Sequence, residues 1–391
     1  VYKRQGLNMH IEFKYRYYEN EKDYEDYQLE MDNFQDSKIA YRLDEVGDVI
    51  HFAEQEQRNG SYVALYVTYE AAPFFNKEMV VNNVKQSHIF AAAYSFKSVN
   101  SIKNIKKVMP NKNHIKTEGF YFCESDKAMI NKIKSIHKAI IEGATYQVNY
   151  TTRLKAEVFC PISHLYYQLT MSQNGNYTVL MDTPDIKVAS ISPELFFQKG
   201  DYKGKSNMIV SKPMKGTMPR GKNVKEDELY YNNLKTSSKD MAENVMIVDL
   251  LRNDITRIAQ SGTIDVPELF SIEKYDTVFQ MTSTVCGRLQ DDIQLIDMMR
   301  ALFPCGSITG APKINTMQYI AQLEDMPRSI YCGTIGLLLP NQRMIFNIPI
   351  RTIEYNHEEA VYGVGAGITI DSVPENEVQE FHDKTKILER L

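Results

Sequence analysis

The sequence predicts an α+β protein built on antiparallel sheet, and three observations carry that reading. Strand-like runs occur in neighbouring pairs joined by tight turns, as in LLLPNQRMIF (residues 337–346) and IEYNHEEAVY (residues 353–362), the pattern of hairpins rather than of parallel crossovers. Helix-period segments fall between these pairs without regular β–α alternation, and the chain carries no internal repeat. Its 391 residues exceed the roughly 250 to 300 over which a single core usually divides, so two closely joined units are expected. We place an N-terminal αβ unit at 9–120 and a catalytic region at 121–391, packed against each other.

The first unit mixes short strand-like runs, SYVALYVTYE (61–70) and HIFAAAYSF (88–96), with acidic, tyrosine-rich text near residues 19–28. SDKAMINKIKSIHKAIIEG (125–143) spaces Met129, Ile130, Ile133, Ile136, Ile140 and Ile141 as one helix face, with Ser125 as cap and Gly143 as stop. TYQVNYTTRL alternates as a strand with two different faces. Further strands are expected at TVLMDTP, KVASI, IYCGTIGLLLP, MIFNIPIRTI and AVYGVGAGITI, and helices near 222–258, 291–302, 313–323 and 375–390.

Bulk composition narrows the function classes. With 43% hydrophobic and 24% charged residues, the chain has material for a sizeable core. A net charge of -5 with no basic run leaves out the electrostatic footprint of a nucleic-acid binder, although a small anionic substrate remains compatible with it. Five scattered cysteines without CxxC spacing fit neither a disulfide framework nor a zinc site. No apolar run approaches the roughly 18 residues of a membrane span, and VYKRQGLNMHIEF lacks a signal-peptide core, so a cytoplasmic protein is expected. Met9 is an alternative natural start, which would leave residues 1–8 outside the native chain.

Several stretches could carry chemistry. SKPMKGTMPRG (211–221) sets Lys215 among two prolines and two glycines, text that suits neither a helix interior nor a central strand. Alone it reads as a solvated turn lysine. In ISPELFF, Glu194 closes an apolar strand, where a carboxyl is either a general acid kept protonated by burial or an edge residue in water. SSKDMAENVMIVDLLRNDI is an amphipathic helix burying Met246, Ile247, Leu250 and Leu251, with Glu243 on the adjoining face. Glu377, Glu380 and Lys384 share one face of the last helix; Glu380 and Lys384 also form an ordinary i,i+4 pair. Glutamates from two helices aimed at one point would suit Mg2+.

FPCGSITGAPK (303–313) is not a P-loop, because Lys313 stands three residues beyond Gly310; it is a glycine-rich turn entering a helix, suited to an anion or to close packing. VGAGI (364–368) offers Gly365, Ala366 and Gly367, where backbone could approach a carboxylate, with Arg351 on the preceding strand as a bidentate partner.

ISPELFF, KPMKGTMPRG, AENVMIVDLLRNDI, VPELFSIEKYDTV, FPCGSITGAPK, YCGTIG, IRT, GVGAGITIDS and ENEVQEFHDK occur in this order over roughly residues 120–391. In this the chain resembles the chorismate-binding enzyme family, and within it the aminodeoxychorismate-forming branch more than anthranilate synthase component I, the alternative. The resemblance implies two large antiparallel β-sheets packed face to face with helices on the outside and the active site between them. It implies chorismate and ammonia as substrates, Mg2+ as cofactor and a separate glutamine amidotransferase subunit as partner, since no G-x-C-x-G elbow is present.

By the same resemblance Lys215 is a nucleophile adding to the ring, because Pro213-Met214-Lys215-Gly216-Thr217 is similar to the PIKGT of the amine-forming branch rather than to PIAGT. Such an amine has to be unprotonated near neutral pH, so a depressed pKa is expected. Glu194 is then the general acid, Glu243 and Glu380 are metal ligands, and Glu377 reaches the metal through water. Tyr331, Arg351, Gly365, Gly367, Lys384 and the Gly216-Thr217 backbone hold carboxylates. Gln147 stands where water-adding relatives have a lysine base, which favours ammonia as the entering group. Gln280, in FQMTS, departs from the histidine of many relatives, and LLES-type text is missing, so tryptophan feedback is not expected. YEAAPFF resembles the N-terminal unit of the same branch.

Overall fold

The strand YVALYV (Tyr62–Val67) shows how the architecture arises. Its odd-numbered residues Val63, Leu65 and Val67 enter one core while Ala64 and Tyr66 enter another, so both faces are buried and the run is apolar throughout. A computed structural model of the chain describes residues 9–102, 119–172, 175–275, 277–356 and 359–391. The proposed extension 1–8 lies outside the described residues.

Among the described residues, eighteen strands form one antiparallel network that folds into two layers. In the first layer, Val278–Arg288 is followed by Lys205–Ser211, Leu195–Tyr202, Met344–Asn347, Thr334–Leu338, Tyr62–Val67 and Ala91–Ser101. The second runs from His10–Tyr18 through Tyr177–Asp182, Lys187–Ser192, Thr352–Asn356 and Glu359–Ile368 to Gln147–Glu157. The long strand Tyr24–Ala40 joins them, pairing first with His10–Tyr18 and then with Ala91–Ser101. Segments on either side of residue 120 are therefore knit into the same sheets.

Three cores stack across this arrangement. Between the layers lie Phe13, Tyr15, Tyr66, Tyr94, Val179, Ile335 and Ile345. Outside the first layer pack the helices Val46–Arg58, Ser238–Thr256 and Leu295–Leu302; outside the second, Asp126–Ile141, Ile162–Ser172, Lys313–Leu323 and Pro374–Thr385. Each fully buried Ile, Leu or Phe contributes about 1.5–3 kcal/mol relative to exposure. The α+β class and two helix-covered antiparallel layers agree with the sequence reading. No described helix is long and apolar enough to cross a membrane, and the five cysteines are unpaired.

Local departures have local causes. The helix expected over 222–258 is two helices, Val224–Lys235 and Ser238–Thr256, because the Ser237 hydroxyl accepts from Asp240 N and starts a new helix. MIFNIPIRTI is two strands; Arg351 stands at the break with φ 51, before Thr352–Asn356 rather than within a strand. Lys215 is not in a free turn either. Met214–Pro219 is a strand on Val278–Arg288 whose register shifts between Met214 and Thr217, and a bulged pairing that ends at Pro219 tolerates text a regular central strand would not.

Candidate active site

Lys215 reaches the interior because Gly216, at φ 107, turns the bulged strand beneath the helix Ser238–Thr256. A Cβ at Gly216 would stand 3.0 Å from Asp240 Cβ and 3.2 Å from Leu234, so glycine allows the helix to approach, and with it Glu243. Across the space, Gly363, Gly365 and Gly367 alternate on Glu359–Ile368 and present bare backbone on one face. A Cβ on Gly367 would lie 2.7 Å from Gln147 Nε2 and 3.7 Å from Lys215 Nζ; one on Gly363 would strike the Tyr331 ring at 2.4 Å.

These elements enclose a cavity of about 780 Å³. It is lined by Lys215, Glu194, Gly216, Thr217, Tyr331, Arg351, Gly365, Ala366, Gly367, Lys384, Glu243, Glu377 and Glu380. Gln147 stands just behind the wall, beside Gly367. Residues spread over 190 positions of sequence thus meet in one place.

Glu194 links Lys187–Ser192 to Leu195–Tyr202 and is 6% exposed. Its N–H donates to Ser192 Oγ at 3.1 Å, and its carboxyl accepts from Ser307 Oγ at 3.3 Å. Burial pushes this carboxyl up to about 7, while Lys215, the Met214 N–H, Ser307 and Arg351 hold it from going higher. A carboxyl half-protonated near neutrality can donate a proton to a leaving group.

Glu243, Glu377 and Glu380 form the acidic side. Burial raises Glu243, with Asp240 and Glu380 adding to the rise against Lys215 and Lys239. Glu377 is pushed up to about 7, first by burial and then by repulsion from Glu380, with which it shares a hydrogen bond. Lys384 donates to Gly365 O at 3.2 Å. The residue is exposed, yet crowding by the surrounding protein lowers its pKa, helped by Lys215 and Arg351 and opposed by Glu380 and Glu377.

The sequence reading missed several lining residues. Ser307 lay inside a quoted motif, but nothing local says that it faces a carboxyl 113 residues away. Lys239, Asp240 and Lys386 also line the cavity and read in sequence as helix-surface charges. Behind the wall, the buried Arg328 donates to Ile308 O at 2.6 Å and Asn149 O at 2.8 Å and pairs with Glu324. It thereby fixes the backbone of two lining segments. The turn 303–313 is mostly packing: Gly310 abuts Gln147 so closely that a Cβ would lie 2.1 Å from Gln147 O, and only Ser307 and Ile308 of that turn line the cavity.

Comparison with known proteins places this geometry. A family model described as chorismate binding enzyme matches residues 13–390. Aminodeoxychorismate synthase component 1 of Bacillus subtilis is 39% identical over 258 residues, 66% of this chain and 54% of the relative. The Escherichia coli protein of the same name is 36% identical over 261 residues, 66% of this chain and 56% of its own length. The match thus spans about half the length of these curated relatives. Anthranilate synthase component I from Streptococcus pneumoniae superposes with a TM-score of 0.74 at 20% identity, covering 99% of this chain and 93% of that one, which speaks for the fold.

Proposed function

Because the chain belongs to the chorismate-binding enzyme family, we propose that it aminates chorismate to 4-amino-4-deoxychorismate, as the chorismate-binding component of an aminodeoxychorismate synthase. The observation that carries the reading is the amine of Lys215 in one cavity with the buried, proton-holding Glu194. A site that only bound chorismate would need neither.

In this reading the Lys215 amine adds to C2 of the ring, the ring double bonds shift, and the C4–O bond breaks. Glu194 protonates the departing oxygen, which leaves as water, and the resulting carboxylate takes the proton shed by the new ammonium. Ammonia then forms a bond to C4, the double bonds return, and the C2–N bond to Lys215 breaks with the proton returned to the lysine. The balance is chorismate plus ammonia giving the amino product plus water. Arg351, Lys384 and the open backbone at Gly365 and Gly367 supply charge and N–H groups for the two carboxylates of the substrate.

Mg2+ is the expected ion, and the residues fit it. Glu243, Glu377 and Glu380 offer only oxygen donors, and the repulsion between Glu377 and Glu380 is what a cation relieves. Among the described residues no three His, Cys, Asp or Glu side chains converge on one point, so water and substrate oxygens would have to complete the coordination of an ion held there. Bound there, it would neutralise a substrate carboxylate. Ammonia would come from a glutamine amidotransferase subunit, and the assembly would work in the cytoplasm.

The test is product mass after incubating the protein with chorismate, Mg2+ and ammonium. The 4-amino-4-deoxychorismate mass is expected; anthranilate or isochorismate alone would overturn the reading.

A further inference from the structure

Gln280 is a polar residue of the cavity wall that the chemistry above leaves unused. It lies on Val278–Arg288, directly opposite Thr217 in the pairing that carries Lys215, and is among the residues that line the cavity. It is 2% exposed, and its Oε1 has no hydrogen-bond partner among the described residues. A buried amide oxygen without a donor is costly, and native interiors rarely keep one unless something else completes it. Rotation about the last side-chain bond exchanges the amide oxygen and nitrogen without moving the backbone, so the unpaired end can turn to a guest in the cavity. The group is also neutral. A further carboxylate in this wall would favour ammonium, which is not nucleophilic, whereas an amide oxygen accepts an N–H or O–H without adding charge or supplying a proton.

We propose that Gln280 is a specificity-determining residue whose amide oxygen accepts a hydrogen bond from an N–H or O–H donor of the reacting set, either ammonia or a hydroxyl of the bound ring. This deepens the reading above and rests on it. Two neutral amides, Gln147 and Gln280, then stand in or just behind the wall of the lysine's cavity, while Glu243, Glu377 and Glu380 enter it from the helices Ser238–Thr256 and Pro374–Thr385.

The experiment compares wild type with Gln280→Leu and Gln280→Glu. Three quantities are read: melting temperature without ligand, chorismate dissociation constant without ammonia, and KM for ammonium at saturating chorismate. Because the amide oxygen is unpaired in the free protein, Gln280→Leu should melt at the wild-type temperature or above it. One binding constant should weaken about tenfold or more, as when a site built for a hydrogen bond loses it. A weakened chorismate constant identifies the ring hydroxyl as donor; a raised ammonium KM identifies ammonia. Gln280→Glu keeps an acceptor oxygen, so chorismate affinity should survive in the first case and kcat should fall through trapped ammonium in the second.

The proposal is overturned if both constants of Gln280→Leu stay within about twofold of wild type. It is also overturned if that variant melts more than about 5 °C lower, which would show the amide to be paired within the free protein. Wild type yielding anthranilate while Gln280→Leu loses chorismate affinity would sink the functional reading alone. Wild type yielding the amino product with Gln280→Leu unchanged would sink this inference alone, and a wild type that binds no chorismate would remove both.

Discussion

Replacing Glu194 by glutamine should stop turnover and stabilise the protein above neutral pH, and both effects come from one burial. Glu194 is 6% exposed, and its carboxyl is pushed from the usual 4.5 to about 7, mainly by desolvation. The folded state therefore binds this proton more tightly than the unfolded chain does. Stability is highest below pH 4.5, falls as pH rises towards 7, and then stays level, because above 7 both states are ionised and the folded one carries the cost of the buried charge. At about 1.4 kcal/mol per pH unit, the interval from 4.5 to about 7 amounts to a cost of about 3 kcal/mol at pH 8 and about 1 kcal/mol at pH 5. Glutamine keeps the shape and never ionises, so Glu194→Gln should be more stable by about those amounts at the two pH values. The chain has no tryptophan, so urea unfolding is best followed by far-UV circular dichroism. The same variant loses the proton donor, worth about 10²- to 10⁴-fold in kcat. A variant no more stable than wild type at pH 8, or one keeping more than about a tenth of wild-type kcat, would refute the argument that desolvation sets the state of this acid.

Three further outcomes follow from the same geometry. Lys215→Ala should fold and bind chorismate but lose about 10³-fold or more of amination rate, measured by product mass; an unchanged rate would transfer the chain to the alternative, anthranilate-forming chemistry. Millimolar Mg2+ should raise the wild-type melting temperature by relieving the repulsion between Glu377 and Glu380, and Glu380→Gln should abolish most of that shift; an equal shift in both proteins would place the ion elsewhere. Gly363→Ala places a methyl group 2.4 Å from the Tyr331 ring, which the Arg153 guanidinium covers at 5.2 Å. It should cost about 1–3 kcal/mol in denaturant unfolding and weaken chorismate binding; a neutral substitution would mean the ring is free to move.

What the sequence revealed about the site follows how local each signal is. Lys215, Glu194, Glu243, Glu377, Glu380 and the glycines of VGAGI were singled out because the ordered motifs that hold them resemble one family; read alone, Lys215 was a solvated turn lysine and Glu194 stayed open between acid and edge residue. What joins them was not legible. The Ser307 bond to Glu194 spans 113 positions, and the Arg328 bond to Asn149 spans 179. Such bonds depend on which strands pair, and the strand order follows from closure of two layers around a shared core. The errors were local: a serine cap that divides one expected helix, a positive φ at Arg351 that divides one expected strand, and a bulge that lets proline-flanked text join a sheet.

Charge accounting links the fold to the proposed chemistry. Lys215, Lys239, Arg351, Lys384 and Lys386 line the cavity together with Glu194, Asp240, Glu243, Glu377 and Glu380, so the fully ionised side chains cancel. Isolated, the buried Glu194 would be expensive as a charge; interleaved, these groups compensate one another. A substrate with two carboxylates adds two negative charges to that neutral set, and a divalent cation adds two positive ones. Each alone would leave the cavity unbalanced, and the pair restores it. On this argument the glutamates that would hold the cation and the lysine and arginine groups that would hold the carboxylates are two halves of one receptor, and occupancy of either half should strengthen occupancy of the other.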